Sequence, residues 1–209
     1  MDALVMVLAG LLGAGFGASL PLWQHRLYSE PEFRAAPVVG RKRLALQAFD
    51  TVAGAAALTL AFRPGGYGGF AAAITAGFLL VLLALASTDF DRRRIPNLVT
   101  YPAAAAAVAL CWVWPDRTVA EIAIGAGAAV AAAAALGFMR FGGGDLKLIV
   151  LMGLLLGWRG LLPALLYGFI LGGLVALPLM VRYGRKHTFA YGPYLAIGTA
   201  IVLLFPSIA

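Results

Sequence analysis

RFGGGDLKLIVLMGLLLGWRG, residues 140–160, decides how many helices this chain threads through its core. The apolar part, roughly 146–157, is about a dozen residues long, whereas a helix needs about 20 to cross the hydrocarbon layer of a bilayer. By length alone it is a partial or steeply packed span, so its status rests on the charge pattern around it. Its leading edge carries a second message. Gly142, Gly143 and Gly144 run into Asp145, and Lys147 follows two residues later. A carboxylate beside hydrocarbon is costly, and a fold that retains one uses it. Glycine lacks a Cβ and lets another segment, or a bound molecule, come close.

Working outward from this stretch, the 209 residues are 62% hydrophobic and 12% charged, about half the charged share of a soluble domain. The composition is that of an integral membrane protein. A net charge of +7 raises the question of nucleic acid, but the basic residues are scattered between apolar runs rather than massed on one face. Cys111 is the only cysteine, which excludes a disulfide within the chain and a cysteine-based zinc site. Met1 to Trp23 lacks the basic leading region of a signal peptide, its one early charge being Asp2, and reads as a retained helix.

Eight apolar segments follow one another: roughly 3–23, 44–62, 68–88, 97–114, 118–139, 146–157, 160–181 and 190–207. Basic residues collect on the cytoplasmic side of membrane proteins. Here 13 of the 16 fall in loops 24–43, 89–96, 140–147 and 182–189, and the alternate loops hold only Arg63, Arg117 and Arg159. That bias survives only if 146–157 is a crossing, since otherwise the last basic loop changes side. The expectation is an all-α polytopic transmembrane bundle of about eight spans. It forms one domain over 1–209, with the N-terminus outside and loop 24–43 in the cytoplasm.

Within this frame, Gly13 and Gly17 have the small-xxx-small spacing of close helix packing. Loop 24–43 contains His25, Glu30, Glu32, Pro31 and Pro37 and ends in Arg41-Lys42-Arg43; its basic end reads as a solvated face among anionic headgroups rather than a substrate-binding one. Asp50, about two turns into the second segment with Gln47 before it, is a structural polar contact first and an active-site accessory second. Trp112 and Trp114 read as an interfacial aromatic pair.

The third segment ends in Ser87-Thr88-Asp89-Phe90-Asp91, followed by Arg92 to Arg94 and by Ile95-Pro96-Asn97, where proline suits a first helical turn. Taken alone, these acids and arginines could form exposed pairs of little energetic value. The glycine run at 142–144 lacks the Gly-Lys-Ser/Thr ending of a phosphate-cradling loop, and Asp145 would repel an anion. The charge count places Asp89 and Asp145 at the same membrane face. The central expectation is that they meet there and share one proton, the equipment of an aspartyl protease.

Together these motifs resemble the type IV prepilin peptidase family, membrane aspartyl proteases with a Gly-x-Gly-Asp motif. Gly142-x-Gly144-Asp145 matches that motif, and Lys147 matches a lysine that often follows it. Asp89-Phe90-Asp91 with Ile95-Pro96-Asn97 looks like the family's first acidic motif, and Tyr191-Gly192-Pro193-Tyr194-Leu195-Ala196-Ile197-Gly198 is similar to a third segment. The resemblance runs from about residue 70 to the end, and faintly through the first segment. It implies Asp89 and Asp145 as catalytic residues, with Asp91, Lys147, Gly142 and Gly144 as accessories. Larger members carry two cysteine pairs after the first span and methylate the new N-terminus with S-adenosylmethionine. Loop 24–43 has no cysteine, and the compact form resembles peptidases of the tight-adherence pilus branch.

The activity so implied is removal of the leader from pilin or pseudopilin precursors at the cytoplasmic face of a bacterial inner membrane. Proteolysis by this route requires no cofactor and no metal; S-adenosylmethionine enters only if methylation is retained. A proton- or ion-coupled transporter using Asp50, Asp89 and Asp145 is the competing class. Its acids belong near the bilayer midplane, often within inverted repeats, and no repeat is found in the sequence. A noncatalytic subunit of a pilus or secretion machine is the third.

Overall fold

The computed structural model describes residues 3–28, 40–138, 142–183 and 190–208, so Glu30, Glu32, Arg34, Arg140, Phe141, Arg185 and Lys186 lie outside it. Every regular element among the described residues is helical. The helices are α1 (Ala3–Trp23), α2 (Gly40–Ala61), α3 (Gly69–Arg92), α4 (Asn97–Ala109), α5 (Val119–Phe138), α6 (Gly143–Tyr183) and α7 (Gly192–Leu204). Helix is the form in which a lone segment satisfies its own backbone in lipid.

Five of these are long and apolar enough to cross a membrane, and α4 and α7 are apolar but shorter. The protein is a multi-pass membrane protein. The expected fourth segment, 97–114, stops being α-helical at Ala109 and ends in a short 3-10 turn, Cys111–Val113.

The eight apolar segments correspond to seven helices because α6 contains two of them. Its 41 residues are interrupted at Gly157, with φ 66° and ψ −178°. That conformation is essentially confined to glycine, and the chain folds back there. Segment 143–156 runs away from the Asp89 end: Asp145 interacts electrostatically with Asp89, while the carbonyl of Leu155 accepts a hydrogen bond from Arg117 at the other end. Segment 158–183 returns beside α7. A Cβ on Gly160 would meet Val202, one on Gly168 would meet Leu195, and one on Gly172 would meet Tyr191. The backbone N–H of Gly192 in turn bonds Asp89. A short apolar stretch thus spans the bundle as half of a helical hairpin.

Close backbone approach builds the rest. A Cβ on Gly13 would lie 2.1 Å from the carbonyl oxygen of Gly54, and one on Gly17 1.9 Å from that of Asp50, so α1 and α2 pack backbone to backbone as the small-residue spacing predicts. On the other side, a Cβ on Gly125 of α5 would lie 2.4 Å from Gly157. The central helix is α3, in which every residue from Leu82 to Asp89 is buried, the all-round burial of a core helix.

The expected aromatic pair divides. Trp112 is exposed and bonds the carbonyl of Ala109, as a belt residue does. Trp114 is instead buried, donating to Thr75 Oγ1 at 2.9 Å and packing on Phe78 with ring centroids 5.7 Å apart. An indole enters a core where its N–H finds an acceptor, and the Thr75 hydroxyl is that acceptor.

Candidate active site

Asp89 and Asp145 arrive at one end of the bundle by different routes. Asp89 sits in the last turn of α3, whose terminus is closed by Arg93: in the left-handed conformation (φ 55°), its N–H bonds the Asp89 carbonyl at 2.7 Å. Asp145 lies in the first turn of α6, where a negative side chain is favoured by the helix dipole. Both line one polar cavity of about 390 Å³, and they are near enough to interact electrostatically. The remaining lining comes from Arg93 through Asn97, Gly142 through Gly144, Lys147 and Tyr28. The two motifs therefore form one site.

Each glycine of the motif has a steric reason. A Cβ on Gly142 would lie 3.0 Å from Asp145 Oδ2, and one on Gly144 would lie 3.2 Å from Cβ of Ile95. Gly142 leaves room for the carboxylate, and Gly144 lets the two motifs touch. Lys147 completes the junction by donating from Nζ to Asn97 Oδ1 at 2.7 Å, while lying 5.6 Å from the centre of the Tyr101 ring. That hydrogen bond positions α4 against α6.

Asp91 points elsewhere. Its side chain is 2% exposed, with Lys42 Nζ 2.8 Å from Oδ1 and Arg92 Nε 3.1 Å from Oδ2, and it is absent from the cavity wall. Lys42 also bonds its backbone carbonyl. The pairing ties the start of α2 to the end of α3.

Three contributors were not singled out as site residues from the sequence. Gly192 donates its N–H to Asp89 Oδ2 at 2.9 Å, and a Cβ there would come within 2.8 Å of the same oxygen. The resemblance had drawn in the surrounding segment without saying which residue touches an acid. Tyr28 is buried, with its hydroxyl donating to the Thr88 carbonyl at 3.1 Å; nothing in a polar loop marked it. Burial first, and the neighbouring Asp91 second, raise the pKa of its phenol. Tyr191 packs on Phe169 and Tyr194, and burial followed by the charge of Asp145 raises its pKa as well. The start of loop 24–43 packs into the bundle: Tyr28 is buried and lines the cavity, and Gln24 is buried behind it beside Ser87.

Asp50 is fully buried one layer behind the cavity, where Ser87 Oγ donates to its Oδ2 at 2.7 Å. That is the structural polar contact the sequence led us to expect.

Fold and site together define a polytopic helical membrane protein in which a buried aspartate, Asp89, and a half-buried one, Asp145, face one polar cavity at the end of the bundle. Residues 76–177, which include both acids, match the model of the type IV leader peptidase family. This is the family that the motifs resemble. The chain is 28% identical over 180 residues to a prepilin leader peptidase/N-methyltransferase of Aeromonas hydrophila, an alignment covering 81% of this chain and 60% of that protein. It is 29% identical over 135 residues to the protein of that name from Aeromonas salmonicida strain A449, covering 60% of this chain and 46% of the relative. The chain thus spans about half to three-fifths of the relatives' length. No solved structure matches it.

Proposed function

We propose that this protein is a prepilin leader peptidase of a bacterial cytoplasmic membrane, hydrolysing the leader from pilin-like precursors with Asp89 and Asp145. The observation that carries the reading is the meeting of these two acids, distant in sequence, in a cavity walled by both motifs.

Two neighbouring carboxyls hold one proton between them near the working pH, because ionising both is unfavourable. The ionised member takes a proton from water as the water oxygen attacks the scissile carbonyl carbon. The protonated member donates to the carbonyl oxygen, giving a neutral gem-diol. Collapse of the diol breaks the C–N bond as the protonated carboxyl gives its proton to the leaving amine and the ionised one takes a hydroxyl proton of the diol, which returns the pair to its single proton. General acid–base assistance of this kind supplies about 10²–10⁴-fold, and positioning in the cavity supplies more.

The substrate in this reading has a short basic leader in the cytoplasm and an apolar helix in the bilayer, so its scissile bond lies at the level of the two acids. The relatives' name joins N-methyl transfer to leader cleavage; the two acids serve the hydrolysis. Ser87, which holds Asp50, is two residues from Asp89, about 3 Å along the axis. Asp89 and Asp145 lie at one end of the bundle and only Asp50 lies in the middle of its helix, which weighs against a transporter whose acids gather at the midplane.

The test is co-expression with a pilin-like precursor and electrophoresis of the product. Wild type is expected to trim the precursor, and Asp89→Asn and Asp145→Asn each to abolish trimming while still accumulating in the membrane. Trimming by either variant would sink the assignment.

A further inference from the structure

Behind the catalytic cavity lies a polar cluster in which Gln24, Asp50 and Ser87 are all fully buried. Ser87 Oγ lies 2.7 Å from Gln24 Oε1 and 2.7 Å from Asp50 Oδ2. Gln24 Nε2 and Asp50 Oδ1 are buried with no hydrogen-bond partner. A serine hydroxyl has one proton to give, so it cannot donate to both oxygens. With the two ends of the Gln24 amide exchanged, Nε2 donates to Ser87 Oγ and Ser87 Oγ donates to Asp50 Oδ2. The three then form one directed chain linking the end of α1, the middle of α2 and the last turns of α3.

Its location gives it leverage. Ser87 and Asp89 are two residues apart, about 200° around the helix, so they grip opposite sides of α3. Asp89 is held by Gly192 on the cavity side, Thr88 by Tyr28, and Asp91 by Lys42. Ser87 supplies the anchor at the back. Asp50 is in turn set firmly, because the backbone of α1 at Gly17 presses on its own carbonyl. Among the described residues no cation pairs with Asp50, and an unpaired charge is costly in such surroundings.

We propose that Asp50 is a positioning residue for the hydrolysis, acting through its hydrogen bond to Ser87, and not through charge, to fix the turn of α3 that presents Asp89. The inference rests on the peptidase reading of the site. It predicts an effect on turnover rather than on substrate binding, since neither Asp50 nor Ser87 lines the cavity.

The experiment compares kcat and KM of the purified full-length protein in lipid, using a pilin-like precursor, for wild type, Asp50→Ala, Asp50→Asn and Ser87→Ala. Loss of positioning is expected to lower kcat about 10- to 100-fold in Asp50→Ala and Ser87→Ala, with KM nearly unchanged. Asp50→Asn keeps a group that accepts from Ser87 and should restore a rate close to wild type. Unchanged kcat in Ser87→Ala overturns the proposal, as does an Asp50→Asn variant as slow as Asp50→Ala, or a loss carried by KM. Should Asp50→Ala fail to accumulate, Ser87→Ala and Asp50→Asn decide the matter. A wild type that cuts no precursor removes the peptidase reading itself, whereas a cutting wild type with an equally fast Ser87→Ala removes this inference alone.

Discussion

A methyl group added to Gly192 would stand 2.8 Å from Asp89 Oδ2, one added to Gly142 would stand 3.0 Å from Asp145 Oδ2, and one added to Gly144 would meet Ile95 at 3.2 Å. The three alanine variants should therefore differ in severity. Gly192→Ala also strains a hydrogen bond to the acid and is expected to slow cleavage about 10²-fold, as misplacement of a reacting group by about 1 Å can do. Gly142→Ala should follow, since it crowds the carboxylate of Asp145, and Gly144→Ala should be mildest, because it meets Ile95 and neither acid. A Gly144→Ala variant slower than Gly192→Ala would count against this order. Asp91→Asn tests the opposite kind of residue. Removing its ion pairs with Lys42 and Arg92 should cost about 1–2 kcal/mol of stability, read as a lower melting temperature in detergent, with cleavage retained.

The pH profile belongs to this scale too. In the proposed mechanism the pair works with one proton, so activity should fall at low pH, where both acids are protonated, and at high pH, where both are ionised. Tyr191 does not supply the alkaline limb. Burial, and then the charge of Asp145, push its phenol above the ordinary tyrosine value, so it stays neutral until still more alkaline pH. Tyr191→Phe should keep the alkaline limb in place, and a displaced limb would show that the phenol titrates in the reaction. Of the residues at the site, Asp89, Asp145, Gly142 and Gly144 were legible because each belongs to a short motif. Tyr28 and Ser87 were not, since contacts made across 60 and 37 residues of chain leave no local pattern.

Among the elements, the turn at Gly157 carries the clearest wager. Its backbone, at φ 66° and ψ −178°, lies in a region costing about 1–3 kcal/mol for other residues. In addition, a Cβ there would lie 3.3 Å from the Glu121 carbonyl oxygen. Gly157→Ala should lower thermal stability by at least that range, and a variant as stable as wild type would refute the hairpin geometry. The sequence hinted at this turn through a run too short to cross by ordinary reckoning and a charge count that demanded a crossing. It could not separate Trp112 from Trp114, because both are indoles near a segment end, and only the placement of Thr75 decides which one goes inside. The next helix starts as local rules say it should. Thr118 N–H bonds Glu121 Oε2 at 2.8 Å and Glu121 N–H bonds Thr118 Oγ1 at 3.2 Å, a capping box readable as Thr-x-x-Glu.

For the whole molecule, the exceptions to the charge bias have structural uses. Arg63 donates to the carbonyls of Leu60 and Leu204, Arg117 to that of Leu155, and Arg159 pairs with Glu121 at 3.1 Å. Two of the three cap helix ends, where a cation meets the negative pole of the dipole. All three stand at the end away from the acids. The charge bias leads one to expect this end outside the cytoplasm, which can be checked in a Cys111→Ser background. Pro64→Cys should react with a membrane-impermeant thiol reagent applied to spheroplasts, and Arg94→Cys only once the membrane is opened; the reverse pattern would invert the topology.

The fold-back at Gly157 makes the count of traverses even. Gly10 of α1 packs beside Thr59, near the Arg63 end of α2, and Leu204 of α7 accepts from Arg63 itself, so the first and last helices leave the bundle on the side remote from Asp89 and Asp145. A label carried by an exposed residue on that side, such as one at Pro64, would then stand at the opposite face of the bundle from the chemistry, able to mark the protein without obstructing what enters the cavity.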